Sequence, residues 1–333
     1  MKTRTSLVWF EAGRPVPRYA HRNFELTHKL HENLEQFLLT DSKKEFSGIH
    51  TIQLTELPKS PETEEFEGIR KEWKHKQVYF WNNTTARFFY IYDLILTGQV
   101  SEVLHLESDT VLLSQHTLLF LESNPQIKFS FPMQASGIGC GSIMYIRDVE
   151  LYRKFLLYIL KNWRRSDVDD MKLLGEFAIH EKIFNLPTKV ERKTQINSLL
   201  FDAGSIGQHF IGSDARNCRL PFSKRGLLDT REGSISELLE SDNFNFKTHF
   251  FSKGLKVTLR SSNVSLANVH IHSKFISSSI FRMKILFLFS FVFRIPILWK
   301  LGHLDKIVLA ERLVSFYRRR ILKRPAIEEV ILR

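Results

Sequence analysis

Two acidic side chains, Glu107 and Asp109, follow directly on the apolar run Val103, Leu104 and Leu106, and apolar residues resume at Val111. A buried run of this length predicts a central strand. Carboxylates two residues apart at a strand's end point the same way, and open α/β sheets hold their ligands at that carboxyl edge. Paired hard oxygen donors there suit Mg2+ or Mn2+, with substrate phosphates completing the shell. Without its surroundings the pair reads as a solvated turn, because acids are common where strands end. His270 and His272 put two imidazoles on one face of a strand predicted over 268–272. Imidazole joins carboxylates readily around Mn2+, although 13 His in the chain also permit a chance pair. One of the two is expected to be a ligand, and the spacing does not choose between them.

These groups need a scaffold, and the apolar pattern supplies one. Residues 7–10 predict a strand, Gly13, Pro15 and Pro17 a loop, and 19–34 a polar helix. Strands follow over 36–40, ending at Asp41, and over 49–54. Strand–helix–strand order suggests a parallel, nucleotide-binding sheet. The charged stretch 58–72 reads as a surface excursion. Thr84 is placed as the N-cap of a helix running to Leu96, with Phe88, Ile91, Tyr92 and Ile95 on one face and Gly98 as its stop. Strands are expected at 103–106, 129–131 and 143–146, and an apolar helix at 149–163. Asp169 and Asp170 open a further helix that runs to about His180, where first-turn acids contribute about 0.3–1 kcal/mol through the helix dipole. Residues 187–268 read as irregular. Gly137, Gly139 and Gly141 do not form a dinucleotide fingerprint, since a strand and not a helix follows them.

A chain of 333 residues can bury a full α/β core with a smaller appendage. Its 43% hydrophobic and 25% charged content excludes disordered and collagen-like classes. Two cysteines, Cys140 and Cys218, make neither a disulfide framework nor a metal spacing, and both are expected as plain thiols in a reducing compartment. The first residues lack a secretory apolar core. No stretch reaches the roughly 18 apolar residues of a membrane span. The net charge of +12 is concentrated late: residues 280–333 hold 12 Lys and Arg against 4 Asp and Glu. The main body has no basic face or module of the kind that binds nucleic acid, so no nucleic-acid partner is expected.

The block 84–111, from Thr84-Thr-Ala-Arg87 through Glu107-Ser-Asp109 to Val111, resembles nucleotide-sugar glycosyltransferases of the GT-A fold. Their pattern is a helix with an Ala-Arg-aromatic element, a turn, and an apolar strand ending in Asp-X-Asp. This chain departs by having Glu107 where the first Asp stands, which makes Asp109 the firmer ligand. The resemblance implies an α/β fold of the GT-A, Rossmann-like nucleotide-diphospho-sugar transferase type: a mixed, mostly parallel sheet flanked by helices. It implies Mn2+ or Mg2+ held by Asp109, Glu107 and one of His270 and His272, and a nucleotide-diphosphate sugar, a UDP-sugar first, contacted by Arg87 and Lys274. The segment 137–142 is similar to one that borders the donor sugar. Asp169 and Asp170 are similar to an acidic segment at the reaction centre, where one would orient the acceptor hydroxyl or flank the anomeric carbon; as helix-opening acids they have the capping role as an equal alternative. Asp202 and Gln208 are secondary candidates with a structural reading first.

Residues 1–275 are expected to form this catalytic domain and 276–333 a helical, basic, aromatic tail. Aromatic residues mixed with Lys and Arg lie in membrane interfaces, and each basic residue near an anionic leaflet contributes about 1 kcal/mol; a helical pair packed on the domain is the alternative. The expectation is an enzyme of surface-polysaccharide synthesis, peripheral on the inner face of the cytoplasmic membrane, acting on a glycan or lipid-linked acceptor. Rival readings are a nucleotidyltransferase acting on sugar phosphates, for which Ala12 to Pro17 is a poor phosphate loop, and a non-enzymatic membrane scaffold using only the tail.

Overall fold

The computed structural model describes residues 5–72, 78–113, 116–134, 137–165, 169–189, 199–205, 249–251, 254–256 and 265–270. In chain order these form β1 (Thr5–Glu11), α1 (Arg18–Leu30), β2 (Gln36–Thr40), β3 (His50–Gln53), α2 (Pro61–Glu72), α3 (Val78–Leu96), β4 (Glu102–Leu106), β5 (Thr110–Leu112) and α4 (His116–Ser123). Then follow β6 (Phe129–Ser130), β7 (Ile143–Ile146), α5 (Val149–Asn162), α6 (Asp170–Glu181) and the short strands β8 (Leu199–Leu200), β9 (His249–Phe251), β10 (Gly254–Lys256), β11 (Ser265–Leu266) and β12 (Asn268–His270).

Six strands form the central sheet in the order β3-β2-β1-β4-β7-β6. β3, β2, β1 and β4 are parallel, whereas β7 runs antiparallel to β4 and to β6. This is the mixed, mostly parallel α/β architecture that the resemblance implied. Alternation of side chains along each strand feeds two cores. Leu7, Trp9, Leu104 and Leu106 face the α1 side with Phe24. Val8, Val103, Met144 and Ile146 face the other side, with Phe88 of α3, Phe155 of α5 and Phe177 of α6. Each such side chain, fully buried, contributes roughly 1.5–3 kcal/mol.

Several expectations are corrected. The stretch 58–72 is not merely a surface excursion but contains α2. Ser60 Oγ accepts from the Thr63 N–H at 3.2 Å, and Pro61 follows it, which is an N-cap with proline at the first helical position. Asp93 of α3 accepts from Ser60 N–H and Thr63 Oγ1, both at 2.9 Å, and so binds the start of α2 to α3. α3 begins at Val78, so Thr84 lies inside it and caps nothing. Phe88, Phe89, Ile91 and Leu94 are all fully buried, so this helix is covered around its circumference, not on one face. α1 ends four residues early, at Leu30. β5 and α4 were not foreseen. Among the described residues no helix is long and apolar enough to cross a membrane.

Candidate active site

β4 stops at Leu106 because the chain turns there: the Thr110 N–H donates back to the Glu107 carbonyl at 2.9 Å. The two carboxylates therefore do not share a direction through strand alternation, as the spacing suggested. Glu107 reaches both Arg87 of α3 and His270 of β12, and Asp109 comes round on the turn to the same imidazole. β7 starts beside this edge, and the Glu107 N–H donates to the Ser142 carbonyl at 2.9 Å.

On the α3 flank, Arg87 is 4% exposed and bridges two acids. Its NH1 donates to Glu107, and its NH2 to Asp170 Oδ2 at 2.8 Å. Burial opposes charge on Glu107, yet Arg87 and then His270 hold its carboxyl below the ordinary carboxylate range. Asp170, deeper, is pushed up to about 6 by burial, against the pull of Arg87. Two close approaches fix this flank. A Cβ on Gly141 would stand 2.4 Å from Arg87 NH2, and one on Gly175 would stand 2.2 Å from the Gly137 carbonyl oxygen. Hydrogen alone lets the 137–142 segment lie against both the guanidinium and α6. Cys140 is buried there, its thiol donating to Ser142 Oγ at 3.1 Å.

On the other flank, β12 pairs antiparallel with β5, placing His270 opposite Thr110. This register brings a side chain from 160 residues downstream to the Asp109 turn. His270 Nε2 lies 3.3 Å from Glu107 Oε2 and 3.4 Å from Asp109 Oδ1. Burial disfavours an imidazolium, but Asp109 and then Glu107 outweigh it and raise the pKa of His270 well above the ordinary value. Fully buried Asp202 accepts from the His270 N–H at 2.9 Å and exchanges two hydrogen bonds with Asn268. Its role is to hold β12.

One ligand atom from each of Glu107, Asp109 and His270 lies within 4.8 Å of the others. Two carboxylate oxygens and an imidazole nitrogen form a donor set that fits Mn2+ or Mg2+. The structure thus gathers Arg87, Glu107, Asp109, Asp170 and His270. Asp169 takes the capping position: its carboxylate accepts from the Lys172 N–H at 2.8 Å. His272, Lys274, Gln208, Cys218 and the tail 276–333 lie outside the described residues.

Sequence reasoning missed two contributors. Glu11, at the end of β1, is 6% exposed, accepts from Ser108 Oγ, and lies 3.4 Å from Arg14 NH2. Burial raises its pKa, while Arg14 pulls the other way. A charged residue closing an apolar strand next to β4 was the available signal. Asn23 of α1 reaches the same turn; a lone Asn in a polar helix carried no signal.

No family model matches the chain, and no curated protein does. Solved structures do match. One is the galactosyltransferase LgtC in complex with donor and acceptor sugar analogues, with 12% identity, 58% of this chain and 75% of that one covered, and a TM-score of 0.36. Another is mouse xyloside xylosyltransferase 1 in its apo form, with 9% identity, 59% and 87% covered, and a TM-score of 0.35. A third is the glycosyltransferase GlyE of Streptococcus pneumoniae TIGR4, with 16% identity, 55% and 45% covered, and a TM-score of 0.33. Likeness this loose identifies neither substrate nor reaction.

Proposed function

We propose that this protein is a metal-dependent glycosyltransferase that moves a sugar from a nucleotide-diphosphate sugar to a glycan or lipid-linked acceptor. The observation that carries the reading is the convergence of Glu107, Asp109 and His270 at the carboxyl edge of the sheet. Charge supports it. Glu11, Glu107, Asp109 and Asp170 bring four carboxylates to this edge, and Arg14 and Arg87 bring two guanidiniums.

Asp109, Glu107 and His270 would hold the cation. When bound, it would supply the positive charge that stabilises a leaving diphosphate as the sugar's C1–O bond breaks. Arg87 keeps Glu107 ionised and aimed at the edge, and Asp170 holds the other half of the guanidinium. The 137–142 segment packs against α6 and the Arg87 guanidinium, and so holds that flank in place. Lys274 is proposed as a further cation for the diphosphate. The tail is proposed to bring the enzyme to an anionic membrane surface, where a lipid-linked acceptor of surface-polysaccharide synthesis would be found.

Purified protein should hydrolyse a UDP-sugar slowly in the presence of Mn2+, and Asp109→Asn should abolish this turnover while the variant still melts cooperatively as a folded protein. Undiminished turnover in that variant would rule out the metal role. A thermal-shift screen of nucleotide sugars with and without Mn2+ identifies the donor, since a ligand of the native state raises the melting temperature. Removing 276–333 should release the protein from vesicles containing anionic lipid; unchanged sedimentation would refute the membrane assignment.

A further inference from the structure

The turn that carries Asp109 is gripped by a side chain outside the ligand set. Asn23 of α1 is fully buried, and its Nδ2 donates to the Ser108 carbonyl at 3.0 Å and to the Thr110 carbonyl at 2.8 Å. A carboxamide offers two N–H donors, and here both go to the residues on either side of Asp109. Its oxygen is held in turn by Thr27 Oγ1 at 3.3 Å, one helical turn further along. From β1, Glu11 accepts from Ser108 Oγ. Residues 108–110 are thus fixed by α1 and β1, while the Asp109 carboxylate projects toward His270 on the opposite strand.

On the reading that Glu107, Asp109 and His270 bind a divalent cation, we infer that Asn23 is a positioning residue for it. By fixing the backbone before and after Asp109, the carboxamide sets where that carboxylate stands before the cation arrives. The ordering that a free turn would undergo on binding is then already complete in the apo protein. A purely structural role, satisfying two buried carbonyls, predicts a different outcome: stability falls and metal affinity at equal foldedness does not. Thr27 acts at one remove, by holding the carboxamide in the rotamer that reaches both carbonyls.

The two are separated by Mn2+ binding to the full chain, followed by electron paramagnetic resonance of free Mn2+ with no nucleotide present. Asp109→Asn defines the site in the parent. Asn23→Ser is expected to weaken Mn2+ binding about 10–100-fold, the range found when groups supporting a ligand are lost. Thr27→Val preserves volume, leaves the Asn23 donors in place, and should give a smaller loss in the same direction. Ile159→Ala, on the buried face of α5, provides a comparably destabilised control and should bind Mn2+ within about two-fold of the parent, as distant sites do not couple. Should Asn23→Ser fail to fold, Thr27→Val decides. Parental affinity in both Asn23→Ser and Thr27→Val, or an equal loss in Ile159→Ala, overturns the inference and leaves the metal reading intact. If the parent binds Mn2+ no better than Asp109→Asn, the metal reading falls and the inference with it.

Discussion

The two flanks of the β4 edge hold the same kinds of group and solve the charge problem in opposite ways. Toward α3 and α6, Glu107 and Asp170 share a buried guanidinium, and Gly141 and Gly175 allow the surrounding backbone to close on it. Toward α1 and β12, Asp109 meets an imidazole, and the carboxylate of Glu11 lies behind Ser108. One flank pairs its acids with a buried arginine; on the proposed reading the other, where Asp109 meets His270, is the place that would receive an external cation. A three-residue Glu-Ser-Asp element therefore divides into an anchored end and a receiving end, a division that charge alone does not reveal.

The difference can be broken from either side. The largest effect is expected from Arg87→Met, which leaves two carboxylates buried without their partner. Such losses cost about 3–5 kcal/mol, and urea denaturation should show this; a stability within 1 kcal/mol of the parent, with the approximation typical of such mutational costs, would remove the anchored flank. Asp109→Asn comes next. Its Mn2+ affinity should fall at least about a hundredfold, equivalent to some 2.7 kcal/mol, with a stability cost well below that of Arg87→Met, since only the contact with His270 is lost. A parallel loss of stability would show Asp109 to be an anchor like Glu107.

Acid tests a feature that both flanks share. His31, near the α1 end, donates from Nε2 to the Leu112 carbonyl at 3.4 Å, and burial holds its pKa down at about 4. His105, on the α3 side, is held at about 3 by burial and then by Arg87. Both take up protons on unfolding before they do so in the native state. Their contribution is fully present above the ordinary value of 6.5 and is lost as pH falls through the window toward 4. His31→Gln should flatten this decline by up to about 1.4 kcal/mol per pH unit; an unchanged slope in denaturant melts at stepped pH would show that His31 is not held neutral. The smallest effect belongs to Asp169→Ala. Losing the cap of α6 should cost about 1 kcal/mol and leave Mn2+ binding as it is; weakened binding would place Asp169 at the receiving end.

What the chain disclosed beforehand follows from how local each interaction is. Strands β2, β4 and β7 are short apolar runs with no competing periodicity, and they appear where those runs stand. α2 was concealed by its charges, although Ser60-Pro61 was a legible start signal and Phe66 is 1% exposed beneath them. Thr84 resembled a cap because polar residues interrupt an apolar stretch there, yet it lies inside α3. At the site, Glu107 and Asp109 stood out by type and spacing, and His270 only as one of a pair with His272 that the spacing did not separate. The Arg87–Asp170 pair, 83 residues apart, and the Asn23 contacts with Ser108 and Thr110 were not legible. Those partners are chosen by tertiary register and by backbone carbonyls, which leave no mark in residue identity.

The reversed strand β7 has a consequence for how such a cleft could be altered. A parallel strand would begin at the far edge of the sheet, and whatever preceded it would be remote from the carboxylates. Running backwards, β7 begins where β4 ends, so the approach over 137–142 arrives beside Glu107 and Arg87. Lengthening or recutting that segment would change the surroundings of Arg87 and Glu107 while the four parallel strands stay where they are.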